Sequence, residues 1–175
     1  MRRLILLRHS TAERATAAQS DQERTLTPQG RADAATIGAY LANHAFRPDV
    51  VVVSPAARTR ETWRQIAAAL RLAPDARFDD RIYNATAQTL FNVVAETADD
   101  SPTVLMLGHN PGLHELAVLL VANGDIDTRE RLRENFPTSG VAIIDFALDA
   151  WSKLHPRSGR LERFVSPKLI AGATN

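Results

Sequence analysis

The stretch Arg2-Arg3-Leu4-Ile5-Leu6-Leu7-Arg8-His9-Ser10 decides how the rest of the chain is read. Leu4–Leu7 is a continuous apolar run with no polar face, which suits a strand covered on both sides. It ends abruptly on two basic residues. Two further runs repeat the pattern: Val50–Val53 ends in Ser54-Pro55, and Val104–Leu107 ends in Gly108-His109-Asn110-Pro111-Gly112. Helical patterns lie between them. Thr27-Pro28 supplies an N-cap and a first-turn proline for a helix carrying Ala34, Ile37, Gly38, Leu41 and Ala45. A second helix runs from about Arg58 to Leu70, with Trp63, Ile66, Ala67 and Leu70 on one face. Ala87–Ala98 and Leu113–Val121 read as helices, the latter stopped by Asn123-Gly124. Ala76–Phe78 reads as a brief strand and Ser10–Arg24 as a polar loop. Val141–Phe146 and Arg160–Val165 read as the arms of an antiparallel hairpin, joined through Pro156 and Gly159.

Strands alternating with helices predict an α/β domain. The expectation is a three-layer α/β/α sandwich, with a mostly parallel central sheet and an antiparallel C-terminal edge. Residues 1–175 form a single domain in this reading, and Ala171–Asn175 fray at its end.

Composition narrows the function. Apolar residues make up 45% and charged residues 23%, which excludes disordered and fibrous classes. There are no cysteines, so disulfides, thiolate zinc sites and cysteine nucleophiles are excluded together. The net charge is +1, without the basic excess of a nucleic-acid binder. No stretch approaches the ~18 apolar residues of a membrane span. A soluble cytoplasmic protein is expected. Lysine occurs only as Lys153 and Lys168; arginine and alanine are both abundant, as a GC-rich genome would give.

In an open parallel sheet, ligands bind beyond the carboxyl ends of the strands. Three strands deliver Arg8 and His9, then Ser54 with Arg58 one turn on, then His109, to that edge. Any one of these segments is an ordinary strand end, helix start or tight turn. Together they converge two arginines and two histidines, which calls for an anionic ligand, and phosphate is the natural one.

These residues carry a family resemblance. Leu-Leu-Arg8-His9-Ser10, Leu26-Thr27-Pro28-x-Gly30, Ser54-Pro55-Ala-Ala-Arg58-Thr-Arg-Glu-Thr62 and Gly108-His109-Asn110 together resemble the histidine phosphatase superfamily, also called phosphoglycerate mutase-like, from Arg3 to about Phe146. The short length, His109-Asn110-Pro111-Gly112 and Pro137-Thr138-Ser139-Gly140 resemble its small bacterial phosphohistidine phosphatase branch. The resemblance implies that His9 is the nucleophile and passes through a phosphohistidine intermediate. It implies that Arg8 and Arg58 clamp the phosphoryl oxygens, and that His109 donates to them as charge develops. No metal or other cofactor is implied. The substrate would be a phosphorylated protein, a histidine phosphotransfer domain, and the product inorganic phosphate. Neutral imidazole chemistry agrees, provided the second ring nitrogen of His9 donates to a backbone carbonyl.

Three positions depart from the superfamily pattern. Ser10 replaces a frequent glycine after the histidine, and Thr11 replaces the acidic residue usual in mutases. No clear carboxylic general acid is present. Asp80, in Phe78-Asp79-Asp80-Arg81, is the nearest candidate by position, with a solvated loop charge as the other reading of both Asp79 and Asp80. A phosphohistidine bond releases an imidazole whose conjugate acid has a pKa of ~6.5, so it tolerates a missing acid better than an alkyl ester does. The chain is short, with little material for a lid, which suits a macromolecular substrate. A small-molecule phosphomonoesterase and a non-catalytic phosphoprotein-binding module are the competing readings. His44 reads as a helix-end residue and His155 as part of a polar connection. His114 is not spaced to share a helical face with His109 but is a possible pocket residue. Arg60 and Arg64 read as surface charges.

Overall fold

The computed structural model describes residues 1–173. Among them are seven strands: β1 Arg2–Arg8, β2 Val50–Val53, β3 Ala76–Phe78, β4 Thr103–Gly108, β5 Val121–Gly124, β6 Val141–Phe146 and β7 Gly159–Val165. The helices are α1 Pro28–Asn43, α2 Ala57–Ala69, α3 Ala87–Ala95, α4 Gly112–Leu120, α5 Ile126–Glu134 and α6 Pro167–Ala173. All strands join one sheet in the order β3-β2-β4-β1-β6-β7-β5. β1, β4, β2 and β3 pair in parallel. β6 runs antiparallel to both β1 and β7, and β5 pairs in parallel with β7. β6 alone therefore opposes the direction of the other strands.

The apolar runs are buried on both sides because successive side chains point to opposite faces. Leu4 and Leu6 enter a core with Val104, Met106, Leu90, Val94, Leu116 and Leu120, beneath α3 and α4. Ile5 and Leu7 enter the opposite core with Leu105, Leu107, Ile37, Leu41, Trp63 and Ile66, beneath α1 and α2. This is the three-layer α/β arrangement expected, and it leaves the strand ends as the place where polar side chains collect.

Four segments differ from the sequence reading. The apolar run Leu113–Val121 is not all helix: α4 ends at Leu120, and Val121–Gly124 turns into β5. A short apolar run does not distinguish the two states, and here pairing with β7 decides. α5 follows, capped by Asp125, whose side chain accepts from Thr128 N–H, but it buries only Leu132, so its apolar periodicity is weak. α3 stops at Ala95 rather than Ala98, with Glu96 as its C-cap. At the C-terminus, Pro167–Ala173 form α6, and the rest of the stretch expected to fray lies outside the described residues.

Register places the site. Arg8 is opposite Gly108 and Val53 is opposite both Leu107 and Phe78, so the residues that follow β1, β2, β4 and β3 emerge side by side. Because β6 is antiparallel, its start meets the same edge: Leu7 is opposite Val141, which brings Pro137–Gly140 there.

Candidate active site

The turn after β1 is built from hydroxyls. Ser10 is fully buried. Its N–H donates to Thr62 Oγ1 at 3.0 Å, and its Oγ shares a 2.6 Å hydrogen bond with Ser139 Oγ. The left-handed backbone in this region is at Ser139, with φ 58°, not at the residue after the histidine. Ser139 N–H donates to the His9 carbonyl at 3.2 Å. The serine that departs from the family pattern thus ties β1 to α2 and to the loop before β6.

The Leu26-Thr27-Pro28-x-Gly30 motif has a packing reason. Thr27 Oγ1 accepts from Gly30 N–H at 2.9 Å as the N-cap of α1, while Thr27 N–H donates to the Thr11 carbonyl at 3.0 Å. A Cβ at residue 30 would stand 2.1 Å from that same carbonyl oxygen. Glycine lets the helix start directly beneath the His9 turn. A Cβ at residue 112 would stand 2.0 Å from the Ala85 carbonyl, so glycine also sets the start of α4 against the segment that follows Tyr83.

The two predicted histidines face each other with ring centroids 5.3 Å apart. His9 Nδ1–H donates to the Ser10 carbonyl at 2.7 Å, which leaves the Nε2 lone pair for chemistry. Burial, reinforced by Arg58 and Arg8, pushes the His9 pKa down to about 4. His109 is buried and lowered to about 3, first by desolvation and then by His9 and Arg58. Arg58 Nη2–H donates to His109 Nδ1 at 3.3 Å; arginine has no acceptor, so Nε2 carries the proton and donates to Ser54 Oγ at 2.7 Å. At neutral pH both rings are uncharged. His109 donates from Nδ1 only after it gains a proton, which an arriving oxyanion favours.

The arginines are held in similar ways. Arg8 Nη1–H donates to the Phe136 carbonyl at 3.0 Å, and Arg58 Nη1–H donates to the Asp21 carbonyl at 2.8 Å. The Nε groups of both are buried and have no hydrogen-bond partner among the described residues. Desolvation lowers the Arg8 pKa. Asn110 Nδ2–H donates to the same Phe136 carbonyl at 2.8 Å, which joins the loop after β4 to Arg8.

Two further residues in contact with the site were not singled out by the sequence. Asp21 accepts from Arg58 Nη2 at 3.0 Å through Oδ2 and from Arg24 Nη1 at 2.9 Å through Oδ1. The Tyr83 hydroxyl also donates to Oδ2. These donors, Tyr83 first, hold the Asp21 carboxyl far below the usual carboxylate range. Tyr83 meets the His109 ring edge-on at 5.4 Å. The Ser10–Arg24 loop is therefore an ordered excursion. An Ala12–Leu26 bridge closes its base, and a 3₁₀ turn at Asp21–Glu23 with a Ser20/Glu23 capping box presents Asp21. Ser-x-x-Glu spacing was the available signal for that turn. Nothing local signals the contacts with Arg58 and Tyr83, which are 37 and 62 residues away.

Asp80 follows β3 at the same edge of the sheet; its side chain is exposed and, among the described residues, has no hydrogen bond or ion pair. Asp79, by contrast, is not a free loop charge: it caps the 3₁₀ turn at Asp80–Ile82 and pairs with Arg81 at 2.8 Å. His114, half-buried on α4, donates from Nε2–H to the Leu132 carbonyl at 2.6 Å. Arg60 lies 4.2 Å over the Phe78 ring and donates to the Pro55 carbonyl. His44 caps α1. Among the described residues, no group of three or more His, Asp or Glu side chains is placed to hold a metal ion, and no helix is long and apolar enough to cross a membrane.

The family model for the histidine phosphatase superfamily (branch 1) matches residues 4–106. The chain belongs to this superfamily. It is similar to the "Putative Phosphohistidine Phosphatase SixA" of Nakamurella multipartitia, at 29% identity and TM-score 0.82 over 95% of this chain and 96% of that one. A structure of the same description from Agrobacterium tumefaciens is 30% identical, with TM-score 0.79 over 95% and 98% of the two chains. An uncharacterized protein of Mycobacterium tuberculosis is 31% identical over 151 residues, 85% of this chain and 92% of that protein. The match places the motif residues Arg8, His9 and Arg58 within the segment that defines the superfamily; His109 follows just beyond it.

Proposed function

We propose that this chain is a phosphatase that removes phosphate from phosphohistidine on proteins, with His9 as nucleophile. The observation that carries the reading is the charge pattern of the site: two neutral histidines between two arginines, and a contacting carboxylate, Asp21, that is already ionised and held by three donors. The site can grip an oxyanion and attack phosphorus. The carboxylate that contacts Arg58 is ionised, so it brings no proton for an alkoxide leaving group.

A phosphohistidine substrate suits that balance. His9 Nε2 attacks phosphorus as the bond from phosphorus to the substrate imidazole breaks. With the distal nitrogen of the substrate ring protonated, the leaving group departs as neutral imidazole, and its conjugate acid has a pKa of ~6.5. His9 keeps its Nδ1–H on the Ser10 carbonyl throughout. Water then attacks the phosphorus of phospho-His9, both water protons leave on H₂PO₄⁻, and the Nε2 lone pair is restored. Arg8 and Arg58 hold the non-bridging oxygens in both steps. The buried Nε–H groups are the donors that an oxyanion would satisfy.

The test compares kcat/KM on a phosphorylated histidine phosphotransfer domain with kcat/KM on a panel of alkyl phosphates. General acid catalysis is worth ~10²–10⁴-fold, so the phosphorylated domain should lead by a factor of that order. Efficient hydrolysis of alkyl phosphates with near inactivity on the phosphorylated domain would move the function to small-molecule phosphomonoester hydrolysis.

A further inference from the structure

Arg58 has two usable edges. Nη1 and Nη2 form the outer edge of the guanidinium, and Nε and Nη2 form the side edge, each able to match two oxygens. In this structure the outer edge is taken by a single residue. Nη1–H donates to the Asp21 backbone carbonyl at 2.8 Å and Nη2–H to the Asp21 carboxylate at 3.0 Å. The second Nη2 proton meets His109 Nδ1, and Nε is buried without a partner among the described residues. The side edge thus borders His109 and the His9 ring beyond it, while Asp21 occupies the opposite donors.

We propose that Asp21, braced by Tyr83, is the positioning residue for Arg58, fixing its outer edge so that the Nε–Nη2 edge is presented to the phosphoryl group. This role rests on the phosphatase reading above. It also explains why the Ser10–Arg24 excursion is built as it is. The Ala12–Leu26 bridge, the Ser20/Glu23 capping box and the Arg24 Nε–H bond to the Glu13 carbonyl at 2.8 Å are all local to that excursion. Their product is one aspartate delivered to Arg58 from across the mouth of the site. Tyr83 arrives from the other side, after β3, and its hydroxyl locks the carboxylate while its ring borders His109. Arg58 is only 4% exposed, so a partner that satisfies its charge and sets its rotation does two jobs at once. An oxyanion that takes the side edge displaces His109 Nδ1 from Nη2. It leaves Asp21 in place, and the substrate completes the coordination of Arg58 without competing for it.

The experiment measures tungstate affinity by calorimetry and kcat and KM on an aryl phosphate, in the full chain. The variants are Asp21→Ala, Asp21→Asn and Tyr83→Phe, each with and without Arg58→Lys. Asp21→Ala should weaken tungstate binding and lower kcat/KM by about 10- to 30-fold, the scale of losing orientation of one clamping group. Asp21→Asn keeps an acceptor and the shape of the side chain. It should lose about threefold, and Tyr83→Phe no more than that. In the Arg58→Lys background, Asp21→Ala should add less than about twofold, because the fork it positions is gone. Tighter tungstate binding in Asp21→Ala would show that Asp21 competes with the oxyanion, and would overturn the proposal. Equal losses in the arginine and lysine backgrounds would also overturn it, since Asp21 would then act elsewhere. Should Asp21→Ala fail to fold, the Asn variant carries the same comparison. An active wild type indifferent to these changes removes this role alone; a wild type that neither binds tungstate nor turns over any phosphate removes the phosphatase reading with it.

Discussion

Arg2 and Arg8 stand at opposite ends of β1, and in both the Nε is buried without a partner among the described residues. Their surroundings differ. Arg2 is 7% exposed, donates through Nη1 to the Asp99 carbonyl at 2.7 Å and through Nη2 to the Asp149 carbonyl, and has the Asp99 carboxylate 3.8 Å away. Arg8 has one carbonyl, that of Phe136, and no carboxylate partner among the described residues. Arg2 fastens the loops at the amino end of the sheet. Arg8 is left with most of its donors uncommitted at the carboxyl end, beside the uncharged ring of His9. Both Nε groups are buried; the arginines differ in how many of their remaining donors the fold already holds.

The largest expected effect defines the carboxyl end. His9→Ala should abolish turnover, because no other ring nitrogen follows β1. Brief reaction with labelled substrate and peptide mapping should place the phosphate on His9. Label on His109 or on a serine would mean that the two ends of β1 differ for some other reason.

The arginines themselves come next. Arg8→Ala should lower kcat/KM by about 10²–10³-fold, the scale of a lost oxyanion donor, with stability changed by less than about 1 kcal/mol. Arg2→Ala should do the reverse. It removes hydrogen bonds from a charged donor and should cost about 2–3 kcal/mol, or about 5–10 °C in Tm, with kcat/KM of the folded protein unchanged. If both substitutions act mainly on stability, the contrast fails.

A smaller effect tests the neutral histidines. Both have folded-state pKa values below the ordinary 6.5, about 4 for His9 and about 3 for His109. Between pH 4 and 6.5 the unfolded chain binds more protons than the folded one, so stability rises with pH across that window and is lost as pH falls through it. Tm should drop by several degrees from pH 6.5 to 4. The drop should be shallower in His9→Ala. A Tm that is flat or rises on acidification would show that the rings are charged in the fold.

The smallest effect concerns Asp80. With its carboxylate exposed and unpaired among the described residues, Asp80→Asn should change turnover on phosphohistidine or aryl phosphate by no more than a few-fold. A loss of ~10²–10⁴-fold on alkyl phosphates would restore it as the general acid.

The sequence by itself determined the sandwich and the edge where the motif residues collect. Continuous apolar runs at Leu4–Leu7, Val50–Val53 and Val104–Leu107 suit strands covered on both faces, and polar or basic residues follow each of them within a few positions. Those facts are local, so they are legible in a linear text. Tertiary structure decided what is not local. β5 is a strand because β7 offers it hydrogen bonds, although its apolar run continues that of α4. The tautomer of His109 is set by Ser54 and Arg58, 55 and 51 residues away. Asp21 meets Arg58 because a folded excursion carries it across. A hydrogen bond between distant segments depends on where the sheet brings them, and that placement exists only once the chain has folded.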